Sequence, residues 1–323
     1  MIRNRWVGVG VGVGVLLAVV AGLTTAQQFL PRPSNNLWWH AVYNAGHVPL
    51  FGLFSLAVLG LTMLLVRRPR EHHHRHYVFA FGVTVVAGCL IEIIQWGAPA
   101  RTAELLDVAR NIAGSAAFLL LMATFDPLMA RGSKKTVLRV TSVLLIAVSL
   151  IPVGFAGAAI VRRNAAFPRL SEFGTWLGRY LLDARNIELE PASLPESGAP
   201  KAIPLAARLT FGSDRPALLV FRSPYPDWSG YERLELKAFS ELDRPVRLRV
   251  RIVDEEWHPT VGDFFLDVIT IEPGVNRILI PLSRVRHVAS GREMDMTRVD
   301  QIVLSAVDAR EPFSLWVDDL RLE

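Results

Sequence analysis

The sequence predicts a chain of two different fold classes: an α-helical transmembrane bundle of about five spans, then an extracytoplasmic antiparallel β-sandwich, jelly-roll-like in plan. Three observations predict this. Nearly all the long apolar runs lie in 1–161, whereas 162–323 alternates apolar and polar residues as soluble strands do. Basic and nearly uncharged loops take turns along the first half. Turn signals such as Pro273-Gly274 break the second half into short segments. The 323 residues leave room for roughly two domains. The hydrophobic fraction of 51% is near a globular average, so distribution rather than composition decides the class. The expected domains are 1–161 for the helical bundle, 162–204 for a juxtamembrane helix and linker, and 205–323 for the sandwich.

Taken in order, apolar segments fall near 6–26, 47–66, 78–97, 104–124 and 138–161, each long enough to cross about 30 Å of hydrocarbon. The first alternates Gly8, Gly10, Gly12 and Gly14 with valines, a pattern of small residues that allows close helix packing. Its apolar stretch exceeds the roughly 7–15 residues of a signal h-region. Thr24-Thr25-Ala26 resembles a cleavage site, so removal as a signal is the competing reading. Orientation follows from basic residues in short loops. Arg3 and Arg5, then Arg67, Arg68, Arg70 and Arg75, then Arg131, Lys134, Lys135 and Arg139 mark one side. Only Arg32 and Arg101 mark the other, with Arg162 and Arg163 after the last span opposing the trend. The expected topology is a cytoplasmic N-terminus and an extracytoplasmic C-terminal half. His72, His73, His74 and His76 in the first inner loop read as a solvated connector rather than a metal site.

Glu92, Gln95, Arg101, Asp107 and Asn111 place polar chemistry where the hydropathy demands membrane. An ionised side chain at the centre of a bilayer costs about 2.5–3.5 kcal/mol on insertion scales, so such groups are paired and are often functional. Glu92 and Gln95 are three apart, and Asp107, Asn111 and Gly114 follow at four and three, which puts each set on one helix face. His47 opens the second span from the same side. Two readings fit. In one, Arg101 or Arg110 neutralises the carboxylates and the network locks helices together. In the other, the cluster is a ligand pocket in which Glu92, Asp107 and His47 are catalytic candidates for proton transfer and Arg101 holds an anionic group.

The order of His47, Glu92-Ile-Ile-Gln95, Arg101 and Asp107-Val-Ala-Arg-Asn111-Ile-Ala-Gly114 resembles the VanZ-like family of multi-pass membrane proteins over about 35–125. The family takes its name from a protein of glycopeptide-antibiotic resistance. The resemblance implies an envelope role at the outer face of the cytoplasmic membrane and supplies no reaction. The residues before and after His47 depart from the family pattern.

In the second half, Phe173, Trp176, Leu177, Tyr180 and Leu181 recur at helical spacing behind Ser171, predicting a short amphipathic helix capped by that serine. Residues 190–204 read as a linker. Strands are expected at Ala207–Phe211, Ala217–Phe221, Arg233–Ala238, Arg247–Val253, Phe264–Ile271, Asn276–Pro281, Gln301–Ala306 and Phe313–Leu322. Tyr225-Pro-Asp-Trp228-Ser-Gly-Tyr231, the turn before Ile278-Leu-Ile-Pro281-Leu, and the ending Leu315-Trp-Val-Asp318-Asp319-Leu-Arg-Leu resemble galactose-binding-like and carbohydrate-binding-module sandwiches. The resemblance implies sugar stacking on exposed aromatics. Trp257, Trp228 and Tyr231 are the glycan-binding candidates, with Phe264 and Phe265 eligible by type. It also allows a structural calcium at Asp318 or Asp319, against the commoner reading of a surface acidic pair.

No other cofactor or metal is expected. The single cysteine, Cys89, excludes an intrachain disulfide and a zinc knuckle. The net charge of +5 forms no basic patch interleaved with aromatics, so nucleic acid is not an expected partner. The expected partners are the bilayer and an envelope glycan or lipid-linked intermediate. A membrane-embedded enzyme on a lipid-linked saccharide, and a structural anchor displaying an interaction module, are the alternatives.

Overall fold

A computed structural model describes residues 36–66, 70–96, 105–192, 206–213, 216–258, 262–307 and 311–323. The expected first span, 6–26, lies outside the described residues. The chain divides into two compact units, one holding His40–Gly154 and the other holding Phe155–Glu323.

The first unit is built on four helices, α1 (Leu37–Leu65), α2 (His74–Trp96), α3 (Leu105–Ala123) and α4 (Ser133–Ala166), of which the start of α1 and the end of α4 belong to the second unit. All four are long and apolar enough to cross a membrane. The outward surface supports this: Leu53, Val78, Val86, Ile93, Val143 and Val148 are exposed along the helices, an apolar surface that water does not tolerate on this scale. Phe51, Phe54, Leu59, Tyr77, Ile91 and Leu119 fill the interior. Where helices meet, small residues set the spacing, as expected without a strong hydrophobic drive between apolar helices. A Cβ at Gly114 would run into the backbone of Val48, and one at Gly52 into the Phe118 ring. α1 starts at Leu37, ten residues before the expected span, because Trp38, Trp39 and Tyr43 extend the helix through a polar stretch.

The second unit is a sandwich of two antiparallel sheets. One has the order β3 (Ile187–Ala192), β4 (Ala206–Phe211), β11 (Phe313–Leu322), β6 (Arg233–Ser240) and β9 (Gly274–Pro281), with β1 (Arg169–Ser171) also paired to β11. The other has the order β2 (Leu182–Arg185), β5 (Leu218–Arg222), β10 (Val299–Ala306), β7 (Val246–Asp254) and β8 (Phe265–Ile271). Inward residues from both sheets, among them Leu209, Phe211, Leu219, Leu248, Ile252 and Leu315, form one core. Every strand expected from Ala207 onward is present within two residues at each end.

Two expectations are corrected. The sandwich does not begin at 205: β1, β2 and β3 complete both sheets from upstream, and Leu170 and Phe173 sit in its core. These strands hide in the sequence because they are short, polar and at or near sheet edges. Pro191 is tolerated in β3 because that strand is an edge. The amphipathic helix of 170–182 is a single turn, α5 (Trp176–Tyr180). Thr175 rather than Ser171 caps it, accepting from the Gly178 amide at 3.1 Å. Ser171 is held in β1.

Candidate functional site

The helical site begins with the 107–111–114 spacing on α3. The small Gly114 lets α3 close on α1 at Val48, which brings the preceding turn of α3 against His47. His47 Nδ1 and Asn111 Oδ1 are 2.9 Å apart. With the amide oxygen accepting, Nδ1 carries the proton and Nε2 is the free basic nitrogen. That nitrogen stands 3.9 Å from Asp107 Oδ2. Asp107 is paired through its other oxygen with Arg110, one turn along the same helix. It also lies in the first turn of α3, where the helix dipole favours a carboxylate. Asn111 is 1% exposed, and its backbone carbonyl accepts from Ser115 Oγ at 2.8 Å.

The third helix approaches through glycine as well. A Cβ at Gly88 of α2 would lie 3.2 Å from Asn111 Nδ2, so this face of α2 passes directly over the asparagine. Glu92 follows Gly88 by four residues, on the same helix face, and is buried at 6% exposure. The structure therefore brings His47, Asp107 and Asn111 into one cluster, with Glu92 one turn further along α2. Gln95 is in the last turn of α2, but its side chain and all of Arg101 lie outside the described residues. The arrangement offers a hydrogen-bonded imidazole facing a carboxylate, with a guanidinium moderating the charge. Such a set can hold a polar or anionic group and can exchange a proton with it.

A second polar set was not anticipated. His73 Nε2 meets Asp126 Oδ2 at 2.7 Å, and Tyr77 donates to the same oxygen at 3.0 Å. His76 is 3% exposed. The histidine tract is therefore only in part a solvated connector: His74 is exposed, but His73 folds onto the turn after α3 and His76 is buried against the His73 ring. Burial raises the Asp126 pKa, but the Leu128 amide, His73 and Tyr77 outweigh it and hold the carboxyl below its ordinary range.

In the sandwich, the glycan candidates separate. Trp228 is 1% exposed, donates Nε1 to the Tyr225 carbonyl at 2.7 Å and lies inside the core, so no sugar can stack on it. Phe265 is in the core too. Tyr231 packs edge-on against Phe167, with ring centroids 5.4 Å apart. Trp257 is half-buried on the outer side of the five-stranded sheet, where Arg251 Cζ lies 5.6 Å from its ring centre and 5.9 Å from that of Phe264. Asp319 is buried among Arg169, Lys237 and Arg321, so a calcium ion there would have to displace the protein's own cations. Asp318 is half-buried on the same strand.

What positions Trp257 is an ionic clamp that the sequence did not reveal. Arg292 binds Asp254 through two hydrogen bonds of 2.6 and 2.9 Å and reaches Asp263 at 2.7 Å. Those two aspartates bracket the segment that bears Trp257 and precede Phe264. Arg292 and the His258 amide hold the Asp263 carboxyl below its ordinary range.

No protein-family model and no curated protein sequence matches the chain. Several solved structures are similar to part of it. A family 11 carbohydrate-binding module from Clostridium thermocellum, in complex with a β-1,3-1,4-mixed-linked tetrasaccharide, aligns at 19% identity and a TM-score of 0.35, over 48% of this chain and 93% of the module. A family 30 carbohydrate-binding module of a Clostridium thermocellum cellulosomal cellulase aligns at 17% identity and a TM-score of 0.33, over 44% and 91%. An agarase aligns at 12% identity and a TM-score of 0.38, and the chain spans 26% of its length against 48% of its own.

Proposed function

We propose that the chain is a multi-pass protein of the cytoplasmic membrane, VanZ-like in its helical unit. In this reading the cluster around His47, Asp107, Asn111 and Glu92 binds the polar end of a lipid-linked or cell-wall glycan intermediate, and the sandwich, on the extracytoplasmic side, binds glycan. The observation that carries it is the His47–Asn111–Asp107–Arg110 chain of polar contacts inside helices apolar enough to span a bilayer. Ionisable groups at such a depth are costly and are kept where they meet one another or a ligand. The ordered set shared with the VanZ-like pattern supports the assignment, and with it a link to glycopeptide-antibiotic resistance.

A membrane-embedded enzyme acting on a lipid-linked saccharide is the second reading, favoured by the basic Nε2 of His47 facing Asp107. Single variants Glu92→Gln, Arg101→Ala and Asp107→Asn separate the possibilities. Each is checked for folded yield, and lipid-linked wall intermediates are profiled against a deletion strain. Altered handling of one intermediate in a folded variant is the expected result. Accumulation of an unconverted intermediate favours the enzyme. Normal lipid profiles and normal teicoplanin susceptibility in folded variants would overturn the ligand pocket and leave a structural anchor.

A further inference from the structure

The outward face of the five-stranded sheet holds more than an aromatic. On β7, Arg247, Arg249 and Arg251 point outward between the buried Val246, Leu248, Val250 and Ile252. Register places Arg249 between Ser305 of β10 and Val268 of β8, and Arg251 between Val303 and Leu266. No carboxylate stands across from either. Among the described residues, Arg249 and Arg251 make no ion pair, on a protein whose other sandwich arginines mostly do.

At Arg251 the geometry is more specific. Its guanidinium lies against the rings of both Trp257 and Phe264. Arg251 Nε and Trp257 Nε1 are both shielded from solvent, and neither has a hydrogen-bond acceptor among the described residues. A buried donor without an acceptor forfeits its hydration with nothing in return, so two such donors at one spot are costly unless something fills them. The Asp254–Arg292–Asp263 clamp holds the aromatic partners in place, which keeps the arrangement from relaxing away. A planar guanidinium suits a carboxylate, and flanking rings suit the apolar face of a pyranose.

We propose that the outward face of this sheet, at Arg249, Arg251, Trp257 and Phe264, binds an acidic saccharide: a pyranose ring carrying a carboxylate. This rests on the reading of the sandwich as a glycan-binding unit and narrows its ligand class. The carboxylate accepts from Arg251 and the indole N–H, the ring packs on the aromatics, and Arg249 supplies a second positive charge to the next residue of the polymer.

The test uses the full chain in nanodiscs of zwitterionic lipid, titrated with oligogalacturonate, its methyl ester and a neutral β-glucan oligosaccharide. The acid oligomer is expected to bind about ten-fold or more tightly than the methyl ester, because esterification removes a charge-assisted hydrogen-bond acceptor. Arg251→Lys keeps the charge but not the planar stack and is expected to lose most of that advantage. Arg249→Gln, at an exposed position where folding is not at stake, is expected to lose about three-fold and to weaken the salt dependence. Equal binding of acid, ester and neutral glycan would overturn the acidic ligand and leave the broader glycan reading standing. Failure of every saccharide to bind overturns both. Polyglutamate binding as tightly as oligogalacturonate, or comparable binding to phosphatidylglycerol vesicles, overturns the saccharide in favour of a general polyanion or membrane surface.

Discussion

Asn111 is the residue on which the helical cluster turns, since it accepts from His47 and lies under the Gly88 face of α2. Asn111→Leu keeps the volume but strands the imidazole N–H, and it is expected to destabilise the helical unit by about 1–3 kcal/mol. In a His47→Ala background the same change should cost clearly less, which a double-mutant cycle of melting temperatures in one detergent measures. Equal costs in both backgrounds would mean that the bond contributes nothing. In the sandwich, Arg292→Ala leaves the fully buried Asp254 without its cation, and a loss on the order of 3 kcal/mol is expected. Arg292→Lys should recover part of it, and intrinsic fluorescence should report Trp257 loosening in both. These residues differ in how legible they were. The 107–111–114 spacing points to one helix face whatever the fold. By contrast, Arg251 belongs to an alternating row that reads as an ordinary wet strand face, and Arg292 finds Asp254 only through long-range pairing.

Among elements, the approach of α3 to α1 depends on a missing side chain. Gly114→Val would drive Cβ into the Val48 backbone, which cannot move aside as a flexible side chain can, so α3 must shift and the His47–Asn111 bond must open. A marked loss of monodisperse protein in detergent size-exclusion is expected. Gly46→Ala, with nothing within 4 Å of the new methyl, is the neutral control. On the six-stranded sheet, Glu235 is fully buried beside Arg277 and Arg321. Burial raises its pKa, but hydrogen bonds from Arg277 and Arg321 and the charge of Arg321 outweigh this and bring it from 4.5 to about 2. A folded value below the unfolded one means the stabilisation is complete above about 4.5 and drains away as pH falls toward 2. Glu235→Gln should therefore flatten the acid limb of the unfolding profile between those values, and an unchanged limb would assign it to other carboxylates. Strands β4 to β11 were readable because burial on one face imposes period two. The edge strands β1, β2 and β3 were not, because a strand with one neighbour needs few apolar residues and permits Pro191.

For the whole molecule, the remaining question is which side of the membrane each loop faces, and the charges argue it. The connection from α1 into the first turn of α2 and that from α3 into the first turn of α4 carry the basic residues, including Arg70, Arg75, Arg131, Lys134 and Lys135. Arg162 and Arg163 oppose that bias, but each has a reason to be where it is. Arg162 pairs with Glu172 at 2.5 Å, and Arg163 donates to the Ser223 carbonyl at 2.6 Å and to that of Pro224 at 3.1 Å. They fasten the end of α4 into the sandwich unit, and their presence follows from folding rather than from orientation. Cys89 is the only cysteine, so a Cys89→Ala chain is a clean background for labelling. Asp243→Cys, exposed in the turn between β6 and β7, should react with a membrane-impermeant maleimide in intact spheroplasts. Ser133→Cys, exposed at the start of α4, should react only after lysis. The opposite pattern would put the sandwich in the cytoplasm, away from any wall polymer, and would remove the glycan reading together with the acidic-saccharide site.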